Sequence, residues 1–180
     1  QVINISLKQK SGISIRKYTT AVNSQNDLQA DYSQLTSVIN GKEKPVIPGT
    51  SWSGAFRHHM EKLSEESLNT LFGDMGSKSL IKFSESIIED AQSKVITRNA
   101  IDRFTAGTVD GALYTEKYYF DGDTTLTIEF PANVSEKHVK ALVTSILDLH
   151  FGYLAIGGLT SVGRGLFEIT HISINDNEYD

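Results

Sequence analysis

Four glycines and one arginine lie within ten residues near the end of the chain, in the segment IGGLTSVGRG, residues 156–165. Glycine lets a ligand or another backbone approach closely, and exposed backbone N–H groups hold phosphate oxygens. The segment follows a helix-like stretch and precedes a strand-like one, which excludes a dinucleotide-binding loop. Four glycines beside an arginine exceed what a helix end needs, so the segment predicts either a ligand contact or a flexible turn. The candidate contacts are Gly157, Gly158, Ser161, Gly163, Arg164 and Gly165.

A second segment, IPGTSWSGAFR at residues 47–57, has the composition of a helix start. Pro and Gly break the preceding chain, and Thr50 or Ser51 is placed to cap the first turn. The free N–H groups and the positive end of such a helix bind phosphate or another anion, and an ordinary capped helix is the alternative. The candidate contacts are Gly49, Thr50, Ser51, Ser53 and Arg57.

A third segment, residues 98–122, begins with two arginines, Arg98 and Arg103, on either side of the sequence NAID. Small residues follow before a strand-like pattern resumes, which predicts a hairpin with an excursion at residues 99–113. As ordinary structure this is a wide hairpin with exposed arginines. As a functional element it is a thumb that inserts between bases while its arginines hold a phosphate backbone.

Composition limits the functions that these segments can serve. The chain has 180 residues, no cysteine and a formal net charge of −5. The length suits one domain, and the lack of cysteine excludes disulfides, thiolate zinc sites and cysteine nucleophiles. No apolar run reaches the roughly 20 residues of a membrane helix, so we expect a cytoplasmic protein with no membrane partner. The negative charge argues against a uniformly basic nucleic-acid binder and leaves a local groove open. The first residue is Gln1 rather than Met, which leaves upstream trimming open.

The spacing of apolar residues predicts the elements that position the three segments. Alternation from Val2 predicts a strand, and polar residues predict a long loop at 19–44. Helices are predicted after Pro48 and over SEKHVKALVTSILDLHFGYL, and strands complete the order. The second helix has a predicted apolar face of Val139, Leu142, Val143, Ile146, Leu147, His150 and Phe151. We therefore predict one α+β domain over residues 1–180, with a ferredoxin-like (RRM-like) βαββαβ order, an antiparallel sheet, an inserted thumb hairpin and a glycine-rich loop.

Three stretches in chain order resemble the signatures of the RAMP superfamily. They are PVIPGTSWSGAFR, ITRNAIDRFTAGTVDGALYTEKYYFDG and IGGLTSVGRGLFEI, and they resemble more narrowly the repeated backbone subunit of type III CRISPR effector complexes. The resemblance implies a subunit that stacks along a guide RNA, with the helix start and the glycine loop on the RNA backbone and a thumb that displaces one base at intervals. It implies guide RNA, complementary target RNA, further copies of the chain and other effector subunits as partners.

The resemblance also implies that an acidic residue in the loop before the helix start cleaves the bound target RNA. Asp31 lies closest to the expected place and Asp27 is the second choice, while the ordinary interpretation of both is a solvated loop acid. One carboxylate can position a 2′-hydroxyl or help to hold a divalent metal such as Mg²⁺, which keeps most of its waters. The loop has no dense acidic cluster, so we expect a loosely held metal and no dedicated metal site.

Two other functions remain open at this point. The same fold could serve as a catalytically inactive RNA scaffold, or as an endonuclease that processes guide precursor. The sequence has no histidine constellation of the kind that processing enzymes use. One departure from the family pattern concerns Ser53, which stands where the family often has a lysine, so one phosphate contact is missing there.

Overall fold

The computed structural model describes residues 1–16, 32–101 and 104–179. Its elements, in chain order, are β1 (Val2–Gln9), β2 (Tyr32–Ser33), β3 (Thr36–Ile39), β4 (Lys42–Ile47), α1 (Gly49–Leu63), α2 (Asn69–Phe72), β5 (Lys82–Phe83), β6 (Ser86–Ile87), β7 (Gln92–Ile101), β8 (Thr108–Phe120), β9 (Asp123–Glu129), α3 (Glu136–Phe151), β10 (Phe167–Ile174) and β11 (Asn177–Tyr179). A 3-10 turn at Thr160–Val162 interrupts the glycine-rich loop.

The central sheet has five strands in the order β11-β10-β1-β9-β5, and every neighbouring pair is antiparallel. Strand β1 follows the predicted alternation, because Ile3, Ile5 and Leu7 are buried while the residues between them reach the surface. Its Ile5 lies opposite Leu126 on β9 and Ile172 on β10. The predicted mixed α/β fold with an antiparallel sheet is confirmed.

The core forms where α1 and α3 pack against the buried side chains of this sheet. Trp52, Phe56 and Met60 of α1 are each 0% exposed, as the helical spacing predicts. Each fully buried side chain of this size stabilises the fold by about 1.5–3 kcal/mol. A hydrogen bond of 2.6 Å between His59 Nε2 and Asp148 Oδ2 joins the two helices.

The apolar face predicted for α3 is partly wrong. Leu142 and Ile146 are buried, but Val143, Leu147 and Phe151 are 45%, 49% and 67% exposed. The buried face of α3 also includes residues that were not predicted there, namely His138, Ala141, Ser145 and Leu149. Small residues on this buried face let the helix approach its neighbours closely. The buried Ser145 hydroxyl donates a hydrogen bond to the Ala141 carbonyl at 2.8 Å.

The loop predicted at residues 19–44 is wrong in its later part, where strands β2 and β3 and the start of β4 lie. Strands β3 and β4 pair as an antiparallel hairpin. Asn40 and Gly41 at its tip have φ of 51° and 75°, the left-handed geometry of a tight hairpin turn. Residues 17–31 lie outside the described part of the chain, and both candidate catalytic acids, Asp27 and Asp31, fall there.

Strands β7 and β8 form a long antiparallel hairpin that begins at the pair Gln92 and Phe120. The register shifts between Asn99 and Ile101, so the excursion predicted at 99–113 is the outer end of this hairpin. The inner end is held by β2, which pairs with β8 in parallel. Arg103 lies outside the described residues.

Candidate functional site

Helix α1 begins without a side-chain cap. Pro48 occupies the N-cap position, so the cap predicted at Thr50 or Ser51 is wrong and both residues lie inside the first turn. The N–H groups of Ser51 and Trp52 donate back to the Pro48 carbonyl at 3.0 and 3.3 Å. Gly49 is required by the fold, because a Cβ there would stand 2.3 Å from the Phe83 carbonyl oxygen. The helix therefore presents its positive end and the exposed Thr50 at this point.

Two further candidates on α1 lie away from that end. Ser53 is half-buried. Arg57 is engaged within the protein: its Nε contacts Glu61 Oε1 at 3.3 Å, Nη2 donates to Asn69 Oδ1 at 3.0 Å, and Nη1 donates to the Gly73 carbonyl at 3.2 Å. Its side chain is still 37% exposed. Arg57 thus fastens α1 to α2, and a phosphate at this guanidinium competes with those partners.

Two of the loop glycines are explained by the protein's own backbone. Gly165 has φ of 76°, and a Cβ there would stand 1.9 Å from the Ile156 carbonyl oxygen. Gly157 has φ of 91°, and its Cβ would stand 2.9 Å from the Ser14 carbonyl oxygen. These positions need glycine whether or not a ligand is present.

The remaining glycines face open space. A Cβ at Gly163 meets no atom within 4 Å, and one at Gly158 first meets the Ser14 carbonyl oxygen at 3.4 Å. Ser161 is exposed in the 3-10 turn between them. The part of the loop that can receive a ligand is therefore residues 158–163.

A chain of hydrogen bonds links this loop to the strand that leads into α1. The Gly158 N–H donates to the Ser14 carbonyl at 2.8 Å, and the next residue, Ile15, donates to Gln34 Oε1 at 2.5 Å. Gln34 then donates from Nε2 to the Val46 carbonyl at 3.0 Å. Gln34 is 1% exposed, and sequence reasoning missed it, because a lone glutamine in a polar stretch gives no signal of burial.

The same two segments also meet in the core. The ring of Trp52, in the first turn of α1, lies 5.7 Å from the ring of Phe167, which follows the glycine loop by two residues. The Trp52 indole N–H donates to Ser86 Oγ at 2.9 Å, which fixes the ring. The structure thus connects the start of α1 and the end of the loop through both backbone bonds and a ring contact.

Arg164 points into the protein. It is 7% exposed, and its guanidinium carbon lies 3.7 Å from the centre of the Tyr118 ring. Its Nη2 lies 3.3 Å from Glu116 Oε2, and Arg98 Nε lies 3.1 Å from that same oxygen. Burial does not support the phosphate contact predicted at Arg164, whereas the Arg98 side chain remains 31% exposed. Sequence reasoning missed Glu116 and Tyr118.

Comparisons with known proteins show the family of this chain. The family model of the RAMP superfamily matches residues 30–168. The chain belongs to the RAMP superfamily. Among solved structures, a chain from the cryo-EM structure of the type III-B Cmr-beta bound to cognate target RNA has a TM-score of 0.66 and 18% sequence identity. The match covers 96% of this chain and 59% of that chain, so the present chain spans 59% of that length. No curated protein matches the sequence.

One further cation of this RAMP-superfamily chain lies beside the glycine loop. The Lys10 N–H donates to the Leu166 carbonyl at 2.9 Å, and the Lys10 side chain is exposed. The sequence showed only a lysine at the end of a strand, and its proximity to the loop follows from the pairing of β1 with β10. Lys10 is thus an additional candidate for contact with an anion.

Two features are absent from the described residues of this RAMP-superfamily chain. In residues 1–16, 32–101 and 104–179, no three His, Asp or Glu side chains gather in an arrangement that could hold a metal ion. Nor does any helix in those ranges have the length and apolarity to span a membrane. Of the predicted contacts, the structure connects the start of α1 with the glycine loop, and it assigns Arg57 and Arg164 partners within the protein.

Proposed function

We propose that this chain is a guide-RNA-binding backbone subunit of a type III CRISPR effector complex and that it cleaves complementary target RNA. The observation that carries the proposal is the connection of the uncapped start of α1 to the exposed loop at residues 158–163. Helix starts and glycine loops hold phosphates without reading bases, through those backbone N–H groups that do not donate within the protein. Membership of the RAMP superfamily, and the likeness in fold to a Cmr-beta chain solved with target RNA, support it.

The topology supports a ferredoxin-like core with RNA held at its loops. In chain order, β1, α1, β5, β9, α3 and β10 follow one another as βαββαβ, and their strands lie in the sheet in the order β10-β1-β9-β5, which supports this assignment. RNA-recognition sheets stack bases on aromatic side chains of the open face. The outward residues of the central strand β1 are instead Asn4, Ser6 and Lys8. We therefore assign the RNA backbone to the helix start and the glycine loop.

Affinity for RNA in this proposal comes from repetition. The net charge of −5 opposes binding of a polyanion by one copy, and the amides of a helix end and a loop hold only a few phosphates. Several copies on one strand convert later contacts into intramolecular ones and raise the avidity. The chain therefore acts as one of several copies along the guide, beside other effector subunits in the cytoplasm.

Cleavage in this proposal depends on the segment that carries Asp31 and Asp27. The Asp31 carboxylate positions the 2′-hydroxyl beside the scissile phosphate, with Asp27 as the second candidate. A divalent metal such as Mg²⁺ supplies neutralisation of phosphate charge when bound. In this proposal any such ion is loosely held and keeps most of its waters.

The β7–β8 hairpin acts as the thumb, and Phe104 stands in its turn region with 99% of its surface exposed. Stacking of a base on an aromatic ring is worth about 1–3 kcal/mol, so Phe104→Ala is expected to weaken guide binding by about 5- to 150-fold. Chemical probing of the guide should also lose its regularly spaced reactive nucleotides. Val95→Ala is the matched control, because Val95 is an exposed apolar residue on the inner part of the same hairpin. Equal losses in both variants would contradict the assignment.

The experiment that tests the whole function uses the complex assembled with its guide RNA and partner subunits. With Mg²⁺ and complementary RNA, we expect target fragments at regular spacing and no cutting of a non-complementary strand. Intact target that stays bound would show a catalytically inactive scaffold. Cutting of guide precursor, with the target intact, would show a processing endonuclease.

A further inference from the structure

A buried carboxylate lies where the hairpin joins the body of the protein. Glu116 on β8 is 3% exposed, and its Oε2 contacts Arg98 Nε at 3.1 Å and Arg164 Nη2 at 3.3 Å. Arg98 belongs to β7 and Arg164 to the end of the glycine loop. A carboxylate removed from water must be compensated by charges and hydrogen bonds, so Glu116 holds both arginines to itself. One oxygen atom thus joins the two hairpin strands to the loop.

The packing around Arg164 encloses it fully. Its guanidinium lies over the Tyr118 ring, and Gly12 stands beside both groups. A Cβ at Gly12 would be 2.5 Å from the Tyr118 ring and 2.6 Å from Arg164 Nη1. The neighbouring Gly165 donates its N–H to the Gly12 carbonyl at 2.9 Å. A phosphate reaches this guanidinium only if these contacts open.

The contacts of the cluster are concentrated in one bridge. Glu116 Oε1 and Arg164 Nη1 are buried and have no hydrogen-bond partner within the described part of the chain. The charged link between loop and hairpin therefore runs through Glu116 Oε2, beside the stacking of Arg164 on Tyr118 of the same strand. The backbone supports the hairpin at this level through the pairing of β2 with β8 and through the Ile13 N–H, which donates to the Tyr119 carbonyl at 3.0 Å.

We propose that Arg164 is a positioning residue, which acts through Glu116 to fix the orientation of the β7–β8 hairpin relative to the glycine loop. This inference rests on the proposed function, in which the loop holds the RNA backbone and the hairpin displaces a base. The nucleotide whose phosphate the loop holds and the base that the hairpin displaces must lie a constant distance apart along one RNA strand. A rigid link between the loop and the hairpin keeps that distance constant. Arg164 then contributes to RNA binding without contact with RNA.

The first test needs no RNA. Arg164→Met keeps the length of the side chain and removes its charge, and we expect amide hydrogen exchange in the hairpin and in residues 157–165 to become at least tenfold faster. Lys10→Met is the matched control, since it removes an exposed cation next to the same loop and leaves the buried bridge intact. Unchanged exchange in Arg164→Met would overturn the proposal.

The second test separates positioning from direct phosphate contact. Each phosphate contact with single-stranded nucleic acid contributes about 0.7 to the slope of log K against log salt concentration. We expect Arg164→Met to weaken guide binding and to leave that slope unchanged. In chemical probing, the reactive nucleotides of the guide should no longer be regularly spaced. A slope reduced by about 0.7 with unchanged hydrogen exchange would show that Arg164 binds phosphate directly.

A second variant keeps the test valid if Arg164→Met does not fold. Glu116→Gln keeps the shape of the side chain and removes the charge that holds both arginines, so the same faster exchange is expected. In the double variant, exchange in residues 157–165 should be no faster than in Arg164→Met alone, because both changes break the same bridge between that loop and Glu116. Additive effects would overturn the proposed link. A wild-type protein that binds no RNA would refute the proposed function, while the exchange comparison would still decide whether the bridge holds the hairpin.

Discussion

Replacing Asp31 with alanine is expected to reduce target-RNA cutting in the assembled complex by about 100-fold or more, with guide and target binding unchanged. The reason is that one positioned carboxylate contributes about 10²- to 10⁴-fold to a reaction that moves a proton. The N–H groups that are proposed to hold the RNA backbone lie on α1 and the glycine loop, so the substitution leaves them in place. Single-turnover cutting of labelled target, with affinity measured in parallel, checks both parts.

Asp27→Ala is the matched control for this prediction, since it removes the same group from the same segment. Full cutting by this control beside inactive Asp31→Ala would identify the acid. The reverse pattern would assign the role to Asp27 and keep the proposed reaction. Normal cutting by both single variants and by the double variant would exclude these two acids.

Gly165→Ala is expected to destabilise the fold by about 2–4 kcal/mol, the second large effect. The left-handed φ of 76° strains any residue with a Cβ, and that Cβ would stand 1.9 Å from the oxygen and 2.8 Å from the carbon of the Ile156 carbonyl. Backbone atoms in a closed contact cannot move away as a flexible side chain would. Because the Ile156 N–H also donates to the Gly165 carbonyl at 3.0 Å, the same change disturbs the hydrogen bond that closes the loop. The midpoint and slope of denaturant unfolding measure the loss.

Gly158→Ala provides the control within the same loop. Its backbone has no left-handed φ, and the nearest atom to the new Cβ is 3.4 Å away, so we expect stability within about 0.5 kcal/mol of the wild type. In the proposed function, a methyl group there stands against the RNA and weakens binding. A stable Gly165→Ala variant would show that the loop rearranges and that the close contact with Ile156 is not required.

Helices α1 and α3 show what the spacing of apolar residues predicts and where that prediction fails. The start of α1 was predictable because Pro48-Gly49 ends the preceding strand, and its buried face because Trp52, Phe56 and Met60 recur at helical spacing. The face of α3 was predicted only in part, since Val143 and its apolar neighbours along the helix are exposed in this chain. Hydrophobicity marks the residues that can be buried, and the contacts of the whole fold select among them.

The sequence contains a turn signal for the hairpin of β3 and β4, although the polar composition around it favours a loop. Asn40-Gly41 is a strong indicator of a two-residue hairpin turn, but the flanking residues are mostly polar and lack clear alternation. The polar surroundings therefore favoured a loop. Pairing with β6 on the other side supplies the burial that local sequence does not show.

The candidate site was predictable in its segments and not in its contacts. Gly163 stands in open space, as a ligand-binding loop requires, but the partner of Arg164 is 48 residues away in the strand sequence TEKYY. Nothing local distinguishes a buried Glu116 from the solvated acids of other strands. Only the fold brings the charges together, and that contact changes the role inferred for the arginine.

Both outer strands of the central sheet are very short: β5 has two residues and β11 has three. Long, flat sheet borders invite strand addition from a neighbouring molecule, which leads to uncontrolled aggregation. Here charged side chains, Lys82 and Glu178, stand on those borders, and few unpaired backbone groups remain to receive another strand. The central sheet is therefore expected to resist strand addition from a neighbouring copy of this chain.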